Sequence, residues 1–219
     1  TSGSVNIGQE NFLSLSGRGL ISSRKKIQMI FQDPFGSLNP SQTVGFMLMR
    51  GLELQGINTI EAKERALELL QQVGLGEQAF KRKPRNFSGG QRQRIGIARA
   101  LSMGPDVIVA DECVSALDLS VQKQVLLLLN DLQKTYQMAI IFITHDLRVA
   151  AQVSDYITVM EKGKMVEFGT ASDVFNQPKH EYTKRLLEAA PGRDWHPPRL
   201  SAEEAAEIAK SLEESSLEH

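Results

Sequence analysis

Two adjacent acids, Asp111 and Glu112, close the run Val107-Ile108-Val109-Ala110. A short β-branched run of this kind reads as a buried parallel strand that delivers carboxylates to its C-terminal edge. Ligands of open α/β sheets sit at that edge, so the pair can hold a metal ion and a water there. About twenty residues upstream, Ser88-Gly89-Gly90-Gln91 stands just before a helical pattern with Ile95, Ile97, Ala98 and Leu101 on its apolar face. A Ser-Gly-Gly turn in that place offers unpaired backbone N–H groups and the positive end of a helix dipole, and so can receive phosphate. Each half alone is commonplace, a turn in one case and a strand meeting a polar loop in the other. Their spacing, with Ser115-Ala116-Leu117-Asp118 directly after, makes the combination specific.

Two further residues stand at strand ends. Gln32 follows Lys25–Phe31, whose Ile27–Phe31 portion is expected to be a buried strand. A neutral amide oxygen at such an end can ligate Mg²⁺ or the attacking water. His145 follows a second expected buried strand, Met138–Ile143, within Thr144-His145-Asp146.

The rest of the composition narrows the class. The 219 residues are enough for one domain or a domain plus a lobe. A hydrophobic content of 41% with 23% charged residues is that of a globular protein. The net charge of −1 argues against a general nucleic-acid binder. The longest apolar run, Met138–Ile143, is far too short to cross a bilayer. Cys113 is the single cysteine, which precludes an internal disulfide.

At the stretch from Asn86 to Asp118 the chain resembles the ATP-binding subunit of an ABC transporter. Ser88, Gly89, Gly90 and Gln91 resemble the family signature motif. Asp111 and Glu112 resemble the Walker B aspartate and the catalytic glutamate, and Ser115–Asp118 the D-loop. Gln32 matches the Q-loop glutamine, 56 positions before Ser88, and His145 the switch histidine that contacts the γ-phosphate. Phe87 replaces the Leu most common before Ser-Gly-Gly, an exchange of apolar for apolar. Cys113 departs from the usual Pro and reads as a small buried apolar residue rather than a reactive thiol. The segment from His180 to Leu187, with Phe35–Pro40, resembles subunits serving dipeptide, oligopeptide and nickel importers. The family also needs Gly-x-x-x-x-Gly-Lys-[Ser/Thr], whose amides wrap the phosphates. No such motif occurs in the 219 residues, so the expectation is an N-terminally truncated chain.

The elements that would position these residues follow from periodicity. Val44–Gln55 and Ile60–Val73 carry apolar residues at helical spacing, with Thr59 as the expected cap of the second and Gly74 and Gly76 at its end. Phe35–Pro40 is expected as a loop. The seven cations Lys81, Arg82, Lys83, Arg85, Arg92, Arg94 and Arg99 are expected as a solvated face plus a phosphate-facing helix start. Leu119–Tyr136 reads as a long helix with Val121, Val125, Leu128, Leu129 and Leu132 inward. Tyr156–Met160 and Lys164–Phe168 read as a hairpin turning at Lys162-Gly163, and Ala171–Asn176 as a short helix. Trp195 lies in a Pro-marked linker, Ser201–Leu212 is at best an acidic amphipathic helix, and Leu217-Glu218-His219 resembles a tag remnant.

The fold class expected is therefore α/β, an incomplete P-loop NTPase-like ABC ATPase core with a helical lobe. The expected divisions are 1–33 as the N-terminal remnant of the core, 34–94 as the helical lobe, 95–178 as the α/β core and 179–219 as a C-terminal extension. The resemblance implies ATP and Mg²⁺ as cofactors. Asp111 would hold Mg²⁺ through water, with Gln32 beside it. Glu112 would orient or deprotonate the attacking water, with His145 completing that face. Ser88, Gly89, Gly90 and Gln91 would serve the nucleotide of a partner subunit, and Asp118 would report across the seam. The implied partners are membrane permease subunits, a second ATP-binding subunit and, indirectly, a solute-binding protein, with no nucleic acid. The implied location is peripheral, at the cytoplasmic face of the inner membrane. Two other readings remain. One is a soluble ABC-type ATPase of translation or repair, although 56 positions leave no room for the long coiled-coil insert of repair proteins. The other is a non-catalytic, signature-bearing partner subunit.

Overall fold

Strand β3 (Ile27–Ile30) lies parallel to β4 (Val107–Asp111), with Ile27 beside Val107 and Ile30 beside Ala110. The computed structural model describes residues 4–8 and 10–189. Before β3 come the two-residue strands β1 (Asn6–Ile7) and β2 (Glu10–Asn11), paired antiparallel, and helix α1 (Gly17–Lys26). Strand β5 (Ala139–Ile143) completes the order β3-β4-β5, its Ala139 N–H donating to Asp106 O at 3.0 Å. The expected buried strands prove only half-buried. In the first, Ile30 is buried, but Phe31 lies beyond the strand and is exposed. In the second, Met138 is buried whereas Ile141 and Ile143 are exposed, because with Ala139 they share the one face of β5 that is left uncovered among the described residues.

One helix pair builds the lobe. Helix α3 (Val44–Leu54) is capped by Thr43, whose hydroxyl accepts from Phe46 N, and it buries Val44, Met47, Leu48 and Leu52. Helix α4 (Thr59–Gln72) packs against it through Ala62, Ala66, Leu69 and Leu70. The cap of α4 is Asn58 rather than Thr59. Its Oδ1 accepts from both Ile60 N and Glu61 N at 3.1 Å, so one acceptor satisfies two of the helix's orphan donors. The expected loop after Gln32 contains one turn of helix, α2 (Pro34–Ser37). Asp33 nucleates it by accepting from Phe35 N at 2.8 Å.

Helix α5 (Gly89–Leu101) is the core of this unit. It touches α2, β3, α3, α4 and the long helix α6 (Leu119–Tyr136). Enclosed by so many elements, it buries Gln93 and Arg94 as well as Ile95, Ile97, Ala98 and Leu101. This revises the solvated reading of the cation cluster. Arg94 donates to Val73 O and to Gln124 Oε1 at 2.8 Å, and Arg99 donates to Ser37 O. Burial lowers the pKa of both guanidinium groups. On α6 the inward set differs from the expected one: Leu126 and Leu127 are buried beside Val125, Leu129 and Leu132, whereas Val121 and Leu128 are only half-buried.

The chain divides near residue 141 into two units. The second, from Phe142, holds α7 (Leu147–Val153), the hairpin of β6 (Tyr156–Glu161) and β7 (Lys164–Thr170), α8 (Ala171–Asn176) and α9 (Glu181–Ala189). The hairpin turns at Lys162-Gly163, both with positive φ (51° and 78°), as a two-residue connection requires. Trp195, the 201–212 segment and the last three residues lie outside the described residues, as does all of the proposed 179–219 extension after Ala189.

Candidate functional site

The C-terminal ends of β3 and β4 bring three of the sequence-selected groups together. Gln32 Nε2 donates to Glu112 Oε2 at 2.8 Å and lies 3.4 Å from Ser115 Oγ. Ser115 is held in turn by Glu112, whose carbonyl accepts from Ser115 N at 3.1 Å and Ser115 Oγ at 2.9 Å. Parallel pairing explains the meeting. It places the residues after Ile30 and after Ala110 on the same sheet edge, though 80 positions separate Gln32 from Glu112. Asp111 is the last residue of β4 and half-buried. Glu112 has left the strand conformation and sits at φ 44°. Nothing in the linear pattern announces that backbone or Ser115 as a partner of Gln32. A hydroxyl three residues after an acid is a familiar turn-former and is the one available signal.

Donor chemistry at this edge suits Mg²⁺. A carboxylate and an amide are hard oxygen ligands, and Mg²⁺ is usually held by one or two carboxylates plus phosphate and water rather than by an all-protein cage. Among the described residues no group of three or more His, Cys, Asp or Glu could hold a metal ion. An ion bound here would therefore complete its shell from a ligand.

The signature segment forms the start of α5. Ser88 is its N-cap; its Oγ accepts from Gln91 N at 3.3 Å, while Gln91 Oε1 accepts from Ser88 N at 3.1 Å. This capping box occupies Ser88 and Gln91 with each other. The amides of Gly89 and Gly90, at the first two helical positions, are among those with no intrahelical acceptor. Glycine at 90 is required by packing: a Cβ there would lie 2.4 Å from Val121 Cγ1 on α6. A Cβ on Gly89 would lie 3.9 Å from Leu117 Cδ2, so the signature and Ser115–Asp118 segments are neighbours. Asp118 caps α6, its Oδ1 accepting from Val121 N at 3.0 Å and Ser120 Oγ at 2.7 Å. The Val121 N–H, and after it the Ser120 hydroxyl, holds its carboxyl below the usual carboxylate range.

His145 belongs to the second unit and is exposed there. Beside it Thr144 Oγ1 accepts from Asp146 N at 3.0 Å. Asp146 caps α7 and forms a two-point ion pair with Arg148 at 2.9 and 3.1 Å. The Arg148 guanidinium holds the Asp146 carboxyl below its ordinary value.

Cys113, next to Glu112, is 2% exposed. Burial pushes its thiol up to about 12, with the charge of Asp111 adding to the shift. At pH 8 only about one thiol in ten thousand is then ionised, and the thiolate is the nucleophile. Native protein is expected to resist iodoacetamide at pH 8 and to take up one label on unfolding in urea. Mass spectrometry showing full labelling of the folded chain within minutes would exclude the buried, inert assignment.

A family model described as ABC transporter matches residues 1–115. A putative peptide import ATP-binding protein of Brucella ovis is 47% identical over 195 residues, 89% of this chain and 62% of that protein. The oligopeptide transport ATP-binding protein OppF of Bacillus subtilis is 46% identical over 194 residues, 87% of this chain and 64% of that protein. The chain thus spans a little over three fifths of the length of these curated relatives. A solved structure of a dimeric ATP-binding cassette in a post-hydrolysis state, bound to ADP and Pi, matches with a TM-score of 0.68 at 30% identity, over 78% of this chain and 74% of that one. The architecture is accordingly the α/β ABC ATPase core of the P-loop NTPase class, with α3 and α4 in a helical lobe. By its matched sequence and its fold, the chain belongs to the ABC transporter family.

Proposed function

We propose that this chain is part of an ATP-hydrolysing subunit that energises import of peptides or similar small solutes across the inner membrane. The observation that carries the reading is the meeting of Gln32, Glu112 and Ser115 at the edge where Asp111 ends β4. Asp111 and the Gln32 amide oxygen would hold Mg²⁺, which when bound neutralises developing charge on the phosphates. Glu112 orients the attacking water and accepts its proton, and Gln32 keeps the carboxylate in place. His145 acts on the γ-phosphate. Gly89 and Gly90 offer their amides, from the cap made by Ser88 and Gln91, to the nucleotide of a second subunit, with Asp118 at the seam. Pre-aimed amides of this kind stabilise transferred charge without reorganisation.

The names of the relatives support peptide as the solute class. We assign residues 34–94 to the lobe that meets the permease, 1–33 and 95–178 to the catalytic core, and 179–219 to an extension. A groove between lobe and core, lined by Met29, Phe31, Met47, Leu54 and Met103 with the exposed Arg50, supplies an apolar seat with a cation for a permease segment. A solute-binding protein would act indirectly through that permease, and the subunit would lie on the cytoplasmic face of the membrane. The test is uptake of a labelled oligopeptide into vesicles carrying the full-length subunit, its permease and a binding protein. ATP-dependent accumulation is expected. ATP hydrolysis stimulated by ribosomes but not by the permease would replace this reading with the soluble translation ATPase.

A further inference from the structure

We infer that Arg92 and Arg99 are positioning residues that tie Gln32 to the signature helix. This rests on the proposed role of Gln32 at the Glu112 carboxylate. Both arginines project from α5, one turn-pair apart, onto the four-residue helix α2 that directly follows Gln32 and Asp33. The Arg92 guanidinium lies 4.0 Å over the ring of Phe35, and its Nε donates to Pro84 O at 2.9 Å. The Nε–H bond holds the guanidinium edge while the aromatic ring covers one of its faces, an arrangement suited to the planar guanidinium and not to an ammonium group. Arg99 donates to Ser37 O, at the end of α2. The two contacts grip α2 at its second residue and its last.

Within α2 the grip reaches Gln32 through one residue. Asp33 Oδ1 accepts from Phe35 N at 2.8 Å, and Ser37 N donates to Asp33 O at 3.3 Å. A Cβ at Gly36 would lie 2.9 Å from Asp33 Oδ2, so the carboxylate rests on the space that glycine leaves. Phe35 is 59% exposed, so its place is only partly fixed by burial, and Arg92 stacks on its ring. The covalent neighbour of this clamped turn is Gln32, whose amide meets Glu112. Displacing α5 at its phosphate-facing start would thus carry α2 with it and alter where Gln32 meets the carboxylate.

The clamp is tested in the full-length subunit assembled with its permease, by ATP hydrolysis at varied ATP. Arg92→Ala and Phe35→Ala are expected to lower kcat about 3- to 10-fold with KM for ATP within about two-fold. Phe35→Tyr, which keeps the ring, is expected to retain wild-type turnover, and Arg92→Lys to recover little. In a Gln32→Ala background Arg92→Ala is expected to cause no further loss, because its effect passes through the missing amide. A full further loss in that background, with a lowered Tm, would show a merely structural role and overturn the inference. Normal turnover in Arg92→Ala beside depressed turnover in Gln32→Ala would overturn the clamp alone. Normal turnover in Gln32→Ala would overturn both the clamp and the proposed site.

Discussion

Glu112→Gln in the full-length subunit is expected to bind Mg-ATP as tightly as the parent and to lose roughly 10²- to 10⁴-fold in turnover. The substitution is close to isosteric. A glutamine oxygen can still accept from Gln32 Nε2, where the carboxylate oxygen now does at 2.8 Å, so the local geometry has no reason to collapse. The Ser115 contacts run to the backbone carbonyl of residue 112 and do not depend on its side chain. What disappears is the capacity to take a proton from water, which an amide does not have at neutral pH. Calorimetry of ATP binding and a phosphate-release assay separate the two effects. Hydrolysis within about three-fold of the parent would remove Glu112 from its assigned role.

Leu48→Ala is expected to destabilise the protein by about 2–5 kcal/mol, through lost transfer energy and the cavity left behind. Leu48 is 0% exposed on α3, where that helix meets α4 and α5. Neighbours in a two-helix lobe backed by a core helix cannot close the gap without moving all three. Leu54, on the same helix but 48% exposed, provides the control: Leu54→Ala is expected to fall within about 0.5 kcal/mol of the parent. Guanidinium titration reads both. Equal and small losses would mean that α3 is not packed as described.

The places of the candidate groups are easier to read than the contacts that hold them. Asp111, Glu112, Ser88, Gly89 and Gln32 stand at strand ends and a helix start, where linear pattern and three-dimensional place coincide. Helix α6 and α8 match their expected limits because capping residues, Asp118 and Thr170, stand directly before apolar-periodic runs. Other features were not legible because they depend on partners distant in sequence. Arg94 and Arg99 read as solvated cations, since nothing local announces that Val73, Gln124 and Ser37 accept from them. The turn of helix after Gln32 was masked by its Gly and Pro content, although Asp33 two residues before Phe35 is a cap signal. The exposure of Ile141 and Ile143 follows from their sharing the uncovered face of β5, which an apolar run cannot report.

The left-handed backbone at Glu112 bears on how any saturation library at this position should be interpreted. At φ 44° a β-branched side chain meets steric opposition regardless of its acidity, whereas Gly and Asn fit with ease. A scan that ranks all nineteen replacements by surviving activity would therefore mix two orderings, one of conformational fit and one of proton affinity. Val and Ile would score as dead for the first reason, and Gly for the second. Only pairs matched in backbone preference, such as Glu with Gln and Asp with Asn, isolate the carboxylate. A design effort that wished to recast this site for another reaction would do best to choose its new functional group from that short list, since the peptide plane selects its occupant before the chemistry does.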